Sequence, residues 1–208
     1  MTVINQLLFD IGGVLGSNGW DREQRAEAVT RFGLDAEDFQ YRHEETVGAF
    51  ESGQISLDEY LDVTVFWRKR DFSADDFKAF MYGLSTPWPD SLEVVRRLRQ
   101  SIRGRPRRVR LATLNNESRE LNEYRIRKFG LCELFDVFFS SCWLGVRKPT
   151  RQIYERVLGM TQADPANSLF VDDREQNLAP ARALGMQTIH FTNAETLARS
   201  FADLGFDL

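Results

Sequence analysis

Apolar and polar positions divide the chain into one short strand, a helical stretch and a regular series of strands and helices. The first apolar run covers 3–9 and ends at Asp10, which predicts a buried strand entering a tight turn at Gly12 and Gly13. The predicted later strands are 109–114, 135–140, 168–172 and 186–191, and the predicted helices are 90–103, 117–129, 150–158 (ended by Gly159) and 175–184, followed by a last helix. This alternation favours a doubly wound α/β fold, in which right-handed crossovers join a parallel sheet.

The stretch that follows the first strand differs in character, because it has helical periodicity and no convincing strand. Ser56 and Glu59 have the spacing of a capping box, which predicts a helix start. Aromatic residues are dense here: Trp20, Phe32, Phe39, Tyr41, Phe50, Tyr60, Phe66, Trp67, Phe72, Phe77, Phe80 and Tyr82. Such large side chains let a small helical bundle bury enough area for a core. We predict a Rossmann-like core from 1–15 and 85–208, interrupted by an all-helical insertion at 16–84.

Composition limits the class of protein. The 208 residues suffice for one core-forming domain and a small accessory module. The net charge of −4 gives no reason to expect nucleic acid as a partner, and no apolar run approaches the ~20 residues that cross a bilayer. The N-terminal residues lack the features of a signal peptide, and the two cysteines, Cys132 and Cys142, make no disulfide framework. We expect a cytoplasmic protein that binds neither nucleic acid nor membrane.

Eight arginines crowd the segment from residue 96 to residue 110. They could form a basic patch for an anionic partner. However, Leu92, Val95 and Leu98 recur there at helical spacing, which favours interpreting the arginines as the solvated face of a helix. We expect that helix to break at Gly104 and Pro106.

Polar side chains stand at the ends of three predicted strands, where sheets of this kind bind their ligands. They are Asp10 after the first strand, Asn115 and Asn116 after the second, and Asp172 and Asp173 at the fourth, with Lys148 in a loop before a helix. Each alone is a common turn former or cap, but their joint placement at one edge indicates a site. Packed carboxylates repel one another, and a divalent cation would offset that cost. Oxygen ligands without histidine or cysteine favour Mg²⁺ over Zn²⁺.

Together these residues predict phosphoryl transfer. Asp10 would attack phosphorus as a carboxylate nucleophile, and Mg²⁺ would neutralise charge on the phosphate and the nucleophile. The predicted ligands of the cation are Asp10, Gly12, Asp172 and Asp173. Backbone N–H groups of Gly12 and Gly13 would cradle the phosphate, since glycine lets the backbone approach closely. Asn115 would donate a hydrogen bond to a phosphoryl oxygen, and Lys148 would add positive charge.

Four segments resemble the motifs of the haloacid dehalogenase (HAD) superfamily, whose members are mostly phosphatases. They are LLFDIGGVL at 7–15, LATLNNES at 111–118, GVRKP at 145–149 and LFVDDREQN at 169–177. Asp10 stands in the place of the nucleophile. The spacing also fits, with 33 residues from Asn115 to Lys148 and 24 from Lys148 to Asp172. The resemblance covers nearly the whole chain and points to small helical-capped phosphatases, such as glucose-1-phosphate phosphatases and the phosphatase-like domains of epoxide hydrolases.

Two positions depart from the family pattern. Most phosphatases of the family carry a second Asp two residues after the nucleophile as a general acid, and this chain has Gly12 there. General acid catalysis is worth roughly 10²–10⁴ in rate, so the resemblance implies a slow enzyme or one that acts on good leaving groups, such as an anomeric phosphate. Asn115 stands where the family usually has Ser or Thr, and its amide can still donate a hydrogen bond. Asn116 matches the family asparagine that follows.

Three alternatives stay open within this resemblance. A 2-haloacid dehalogenase also lacks the second Asp but needs no metal, and the Asp172 and Asp173 pair argues against it. A phosphonoacetaldehyde hydrolase would use a cap lysine, whereas Lys69 and Lys78 lie among charged residues typical of a solvated face. A catalytically weak or inactive HAD-fold protein would bind phosphorylated ligands and have little use for Asp10.

We expect the organic half of the substrate to contact the helical insertion, which would close over the phosphate as a lid. Trp20 is the preferred candidate for this contact, because it follows the first motif after only a Gly-Ser-Asn-Gly segment. His43, Glu44 and Trp67 could also face the site. With Asn116 as a further substrate-binding residue, the sequence predicts a Mg²⁺-dependent phosphatase of a small phosphorylated metabolite such as a sugar phosphate.

The sequence does not decide the oligomeric state. Trp88, Trp143 or the aromatic-rich insertion could support a homodimer.

Overall fold

The computed structural model describes residues 4–103 and 109–208. Its strands are β1 (Gln6–Phe9), β2 (Arg110–Asn115), β3 (Val137–Ser140), β4 (Ser168–Asp172) and β5 (Gln187–His190). They form one parallel sheet in the order β3-β2-β1-β4-β5, which confirms the predicted fold class. The four strands predicted after the first all form, with ends displaced by at most two residues.

Five helices of the described residues lie between β1 and β2 in the chain, and the others alternate with the later strands. The full set is α1 (Arg22–Phe32), α2 (Ala36–Glu51), α3 (Leu57–Thr64), α4 (Ala74–Gly83), α5 (Pro89–Ile102), α6 (Arg119–Lys128), α7 (Ser141–Leu144), α8 (Arg151–Thr161), α9 (Glu175–Ala183) and α10 (Ala194–Asp203). No helix among these is long and apolar enough to span a membrane. The predicted break at Gly104 and Pro106 lies outside the described residues, as do Arg105, Arg107 and Arg108 of the arginine run.

The predicted end of α8 at Gly159 is wrong. The helix continues to Thr161 and ends at Gln162, which adopts the left-handed conformation with a φ of 53° and donates its N–H to the carbonyl of Leu158. A glycine inside a helix costs only about 1 kcal/mol. The buried side chains of Val157 and Leu158 hold this turn against the sheet, so packing outweighs the local preference of the glycine.

The register of the sheet brings three strand ends close together. Phe9 at the end of β1 lies opposite Thr113 of β2 and Val171 of β4. Beyond this level β4 continues by one residue, to Asp172, and β2 by two, to Asn115, so the three strands end within two residues of one another at the carboxyl edge of the sheet. Asp10 and Asp172 consequently emerge side by side, although they are far apart in the sequence.

The sheet is covered on both faces, as its continuous apolar strands predict. Because side chains alternate along a strand, Leu7 and Phe9 of β1 point to one apolar cluster and Leu8 points to the other. The cluster around Phe9 includes Leu98 of α5 and Phe201 of α10. The cluster around Leu8 consists largely of residues from α8, α9 and their neighbouring strands. A central strand buried on both faces gives the site a rigid support.

The helices α1–α4 pack around a third apolar cluster, rich in aromatic residues as the sequence predicts. Tyr60 of this cluster stacks on Phe50, with ring centroids 4.2 Å apart. The capping box of Ser56 and Glu59 is confirmed at the start of α3. Leu121 of α6 also belongs to this cluster, so its packing continues onto a helix that follows β2. The division into 1–15, 16–84 and 85–208 stays a prediction.

Candidate active site

The turn after β1 brings the first predicted residues to the carboxyl edge of the sheet. Asp10 donates its backbone N–H to the carbonyl of Val171 at 2.9 Å, and its Oδ1 accepts the N–H of Ile11 at 2.8 Å. Gly13 has a φ of 72°, and a Cβ atom there would overlap the carboxylate of Asp173. Glycine is therefore required for the two strand ends to approach this closely.

The two glycines of this turn differ in the hydrogen bonds of their backbone N–H groups. Sequence reasoning assigns both N–H groups to a phosphate, but the N–H of Gly13 donates to the carbonyl of Gly16 at 2.8 Å. This N–H is thus paired within the turn, and the expected contact of Gly13 with a phosphate stays a prediction, while the lack of a side chain at Gly13 leaves room for Asp173. Gly12 lines the cavity beside Asp10, so its expected contact with a ligand stays a prediction.

Three carboxylates meet around one lysine at this edge. One oxygen from each of Asp10, Asp172 and Asp173 lies within 4.8 Å of the others. The Nζ atom of Lys148 lies 2.9 Å from Oδ2 of Asp10 and 2.7 Å from Oδ2 of Asp172. The Lys148 side chain is only 1% exposed, so solvent does not screen these contacts. The structure thus brings together four predicted residues from three separate segments.

Burial sets the electrostatics of this cluster. It raises the pKa of Asp10 to about 7, against the opposing charge of Lys148 and with added repulsion from Asp172 and Asp173. Burial and the charge of Asp172 also raise the pKa of Asp173 above its usual range. Burial disfavours the ammonium form of Lys148, but the negative charges of Asp10 and Asp172 have the larger effect. The pKa of Lys148 is therefore raised.

The guanidinium of Arg174 also acts on Asp173 and Asp10, but it is paired with Asp21. Lys148 and Arg174 together therefore leave an excess of negative charge when the three carboxylates are ionised, and the cluster favours a further cation.

The donor set fits a hard divalent cation. Oδ1 of Asp173 is buried and has no hydrogen-bond partner within the two described ranges, 4–103 and 109–208. A buried polar atom without a partner is costly unless a ligand satisfies it. Asp172 is better satisfied, because it accepts hydrogen bonds from the N–H of Arg174 at 2.8 Å and from Nδ2 of Asn177 at 3.0 Å. Carboxylate oxygens are ligands that Mg²⁺ prefers, and Asp173 offers the freest of them.

The two asparagines at the end of β2 are placed differently. Asn115 is buried, and its Nδ2 donates to Oδ1 of Asn122 at 3.0 Å. Its expected hydrogen bond to a phosphoryl oxygen stays a prediction. Asn116 donates from Nδ2 to the carbonyl of Lys148 and accepts the N–H of Lys148 at Oδ1, both at 2.8 Å. Asn116 lines the cavity, and its amide fastens the loop that carries the lysine.

A polar cavity of about 240 Å³ adjoins the carboxylate cluster. Its walls include Asp10, Gly12, Asn18, Asn116, Glu117, Arg125, Lys148 and Arg174, together with Trp20, Asp21, Arg25, His43 and Glu51 from the segment between β1 and α3. Trp20 and His43 thus line the cavity as the sequence predicts. Glu44 and Trp67 do not, since Glu44 accepts a hydrogen bond from Gln40 on the surface and Trp67 packs under Arg42.

A hydrogen-bond chain holds the part of the cavity wall formed by Trp20 and His43. Nε1 of Trp20 donates to Oη of Tyr60 at 2.9 Å, and this Oη lies 2.8 Å from Nδ1 of His43. Since an indole can only donate, the hydroxyl hydrogen of Tyr60 is free to go to His43. The imidazole then carries its own hydrogen on Nε2. Burial, together with the charges of Arg25 and Arg147, lowers the pKa of His43 to about 4, so the ring is neutral at neutral pH.

Sequence reasoning missed two buried charged residues of the cavity wall, Glu117 and Arg125. Arg125 reaches from α6 toward the β1 turn, where it donates to the carbonyl of Ser17 and contacts Oγ of Ser85 at 3.3 Å. Its only signal in the sequence is its position four residues after Leu121, on the inward face of α6. Glu117 follows the two asparagines directly, and that position is its signal.

Comparison with known proteins gives consistent matches. A family model described as a haloacid dehalogenase-like hydrolase matches residues 4–185. Flavin mononucleotide hydrolase 1 of Arabidopsis thaliana is 39% identical over 70 residues, which are 34% of this chain and 29% of that protein. A sesquiterpene phosphatase of Aspergillus oryzae is 40% identical over 62 residues, which are 30% of this chain and 32% of that protein. These matched segments span about a third of each relative.

Longer matches have lower identity. D-ribitol-5-phosphate phosphatase of Bacteroides thetaiotaomicron is 25% identical over 92% of this chain and 93% of its own length. A solved HAD family enzyme of the same organism, a magnesium complex, superposes with a TM-score of 0.77 at 22% identity and covers 97% of this chain and 99% of that chain. The L-2-haloacid dehalogenase of Xanthobacter autotrophicus has a TM-score of 0.61 at 18% identity, covering 99% and 85%. Both structural matches establish the fold alone.

Proposed function

Because this chain belongs to the haloacid dehalogenase-like hydrolases, we propose that it is a Mg²⁺-dependent phosphatase that cleaves a small phosphorylated metabolite through an aspartyl-phosphate intermediate on Asp10. The observation that carries the proposal is the cluster of Asp10, Asp172 and Asp173 around Lys148. The relatives described as phosphatases support the same reaction class.

Asp10 is the proposed nucleophile. The N–H of Ile11 and the ammonium of Lys148 contact its two oxygens and hold the carboxylate in one orientation. Lys148 also opposes the effect of burial and favours the ionised carboxylate that the attack requires. The same lysine would balance charge that develops on the transferred phosphoryl group. Asn115 remains the proposed donor to a phosphoryl oxygen.

The residues that would hold Mg²⁺ are Asp10, Gly12, Asp172 and Asp173. When bound, the cation would supply positive charge that stabilises the phosphoryl oxygens and the ionised nucleophile. The unpartnered Oδ1 of Asp173, within the part of the chain that the structure describes, supports this assignment. Asn177 and Arg174 hold Asp172, which orients the carboxylate toward Lys148.

The cavity supports a compact and polar substrate. Its volume of about 240 Å³ lies just below the ~300–1,000 Å³ of common ligand pockets. Arg25, Arg174 and the neutral His43 bring hydrogen-bond donors to its wall, which favours a substrate rich in hydroxyl groups or a second anionic group.

We further propose that segment 16–84 forms the cap over this cavity and that 1–15 and 85–208 form the core. Trp20 would then face the organic part of the substrate. Both cysteines are free, which is consistent with the proposed cytoplasmic location.

The test is phosphate release from 4-nitrophenyl phosphate and a panel of sugar phosphates, with Mg²⁺ and with EDTA. We expect Mg²⁺-dependent release by the wild type, and none above background by Asp10→Asn, because an amide cannot act as the nucleophile. Circular dichroism of the variant should match that of the wild type.

Two results would contradict the proposal. Wild-type activity in Asp10→Asn would exclude Asp10 as the nucleophile. No release from any substrate by a wild type that still binds Mg²⁺ would favour a protein that binds phosphorylated ligands without turnover. Chloride release from 2-haloacids would then test the dehalogenase alternative.

A further inference from the structure

Gly12 has no side chain, and the side chains of Asn18 and Arg125 lie next to the space that a side chain there would occupy. A Cβ atom placed on Gly12 would lie 3.3 Å from Oδ1 of Asn18 and 3.4 Å from Nη1 of Arg125. Gly12 is not among the residues with a positive φ, so its backbone does not require glycine. The guanidinium of Arg125, a side chain 2% exposed, therefore borders the place that a longer side chain at position 12 would enter.

The acidic partner of Arg125 lies in the same wall of the cavity. Oε2 of Glu117 lies 3.7 Å from Nη1 of Arg125, and the Glu117 side chain is only 8% exposed. Glu117 lines the same cavity as Asp10 and Gly12. The guanidinium of Arg125 thus lies between the carboxyl group of Glu117 and position 12, where most phosphatases of the family have an Asp.

Glu117 is held firmly at this position. Its Oε1 accepts the N–H of Ser118 at 2.9 Å, and its own N–H donates to Oγ of Ser141 at 3.0 Å. These contacts fix one carboxyl oxygen and the backbone, which leaves Oε2 as the oxygen beside Arg125. A carboxyl group with one oxygen fixed is suited to proton transfer through the other.

We propose that Glu117 is the proton donor for the leaving group, in place of the acid missing at position 12, and that Arg125 positions it. This inference rests on the proposed phosphatase function. As Asp10 bonds to phosphorus, the bond from phosphorus to the ester oxygen breaks, and its electron pair stays on that oxygen. The oxygen takes the proton of Glu117 and leaves as an alcohol. The Glu117 carboxylate then takes a proton from the water whose oxygen bonds to phosphorus while the bond to Asp10 breaks.

The surroundings of Glu117 favour a bound proton near neutral pH. Burial raises its pKa to about 7, and the charge of Glu51 on α2 adds to the rise, while Arg125 on α6 opposes it. The thiol of Cys142 on α7 is a further titratable group in electrostatic contact with it. A donor of this kind transfers its proton best when its pKa lies near the working pH.

The experiment uses three substrates of similar shape whose leaving groups need protonation to increasing degrees: 4-nitrophenyl, phenyl and benzyl phosphate. Wild type and Glu117→Gln are compared by kcat/KM at pH 6.5 with Mg²⁺. We expect a loss of roughly 10²-fold or more on benzyl phosphate, whose alkoxide must be protonated, and of less than about 10-fold on 4-nitrophenyl phosphate.

Glu51→Gln is the matched control. Glu51 is another acid of the cavity wall whose pKa is raised, chiefly by burial, and its Oε2 lies 3.0 Å from Nη1 of Arg147. The same change of a carboxylate to an amide there removes a charge that raises the pKa of Glu117, so any selective loss on benzyl phosphate in Glu51→Gln should disappear at lower pH, where Glu117 is protonated in both proteins. A loss that depends on the leaving group and persists at lower pH only in Glu117→Gln would support the assignment.

A second measurement needs only the wild type. The kcat/KM ratio of benzyl to 4-nitrophenyl phosphate should fall as pH rises through about 7, because Glu117 then loses its proton. Ionisations of Asp10 and of the metal site affect both substrates and cancel in the ratio.

Three results would overturn the inference: an equal loss on all substrates in Glu117→Gln, a ratio that does not change with pH, or a wild type that cleaves 4-nitrophenyl phosphate alone. A wild type that cleaves none of the three would instead show that the proposed function has failed, and the inference would fall with it.

Discussion

Burial decides the charge of the side chains that face the cavity. It raises the pKa of Asp10 and of Glu117 to about 7 and lowers the pKa of His43 to about 4. Each shift favours the uncharged form, as expected for groups that are removed from water. At neutral pH the cavity therefore presents a neutral imidazole beside a carboxylate cluster whose ionisation depends on what it binds.

The pKa of His43 predicts how the stability of the protein depends on pH. Its folded pKa of about 4 lies below the unfolded value of 6.5, so the unfolded chain binds more protons between these values and stability falls as pH is lowered. From this group we expect the free energy of unfolding to be about 2 kcal/mol lower at pH 5 than at pH 7. In His43→Gln this part of the difference in stability between pH 5 and pH 7 should be absent. Urea unfolding at both pH values measures the free energy of unfolding.

The other histidine provides a control. His190 is exposed, so His190→Gln should keep the wild-type difference between pH 5 and pH 7. If His43→Gln also kept the difference in the free energy of unfolding between pH 5 and pH 7, the buried neutral imidazole would not be the source of that difference.

At the scale of the elements, the turn after β1 brings its backbone close to the side chain of Asp173, at Gly13. Gly13 and Gly33 both have a positive φ, 72° and 59°, but their surroundings differ. A Cβ on Gly13 would overlap the carboxylate of Asp173, whereas nothing lies within 4 Å of a Cβ on Gly33. At Gly13, glycine is required both by the positive φ and by the lack of room for a Cβ atom. At Gly33 it is favoured by the positive φ alone.

This difference predicts two unequal alanine variants. Gly33→Ala should lower the free energy of unfolding by about 1 kcal/mol, the cost of a left-handed alanine. Gly13→Ala should lower it further and reduce phosphatase activity, because Asp173 must move away from Asp10. Urea unfolding and phosphate release measure the two effects. Equal losses of stability would show that Asp173 yields to the added methyl group without cost.

Over the whole molecule, a site is assembled from residues that are distant in sequence. The sheet register places Asp10 beside Asp172, and the loop before α8 brings Lys148 between them. The cluster is rich in negative charge and includes a buried carboxylate oxygen of Asp173 without a partner among the described residues. A cation that binds only this folded arrangement must stabilise the protein.

Mg²⁺ is therefore expected to raise the Tm of the wild type, and EDTA to reverse the rise. At a concentration 100 times the dissociation constant, the stabilisation is about 2.7 kcal/mol. Asp173→Asn should reduce the rise strongly, because it replaces the freest carboxylate of the cluster. Thermal unfolding with increasing Mg²⁺ measures both. An unchanged response in the variant would remove Asp173 from the metal site.

The alternation of strands and helices could be predicted from the sequence, since apolar periodicity reflects which faces are buried. The sequence also predicts Asp10, Asp172 and Asp173 at strand ends, because such ends are read directly from where apolar runs stop, and it predicts Lys148 in a loop before a helix. It misjudged the end of α8, where packing of Val157 outweighs the preference of Gly159.

The remaining contacts in the cavity wall depend on how distant elements pack together. The contact of Glu117 with Arg125 joins the end of β2 to the inward face of α6, and it borders Gly12 on a third segment. Likewise, the contact of His43 with Tyr60 joins α2 to α3. No sequence pattern encodes such contacts, because they depend on how elements pack across the chain. The physical reason is that periodicity specifies which side chains are buried, whereas distances between elements specify which buried side chains meet.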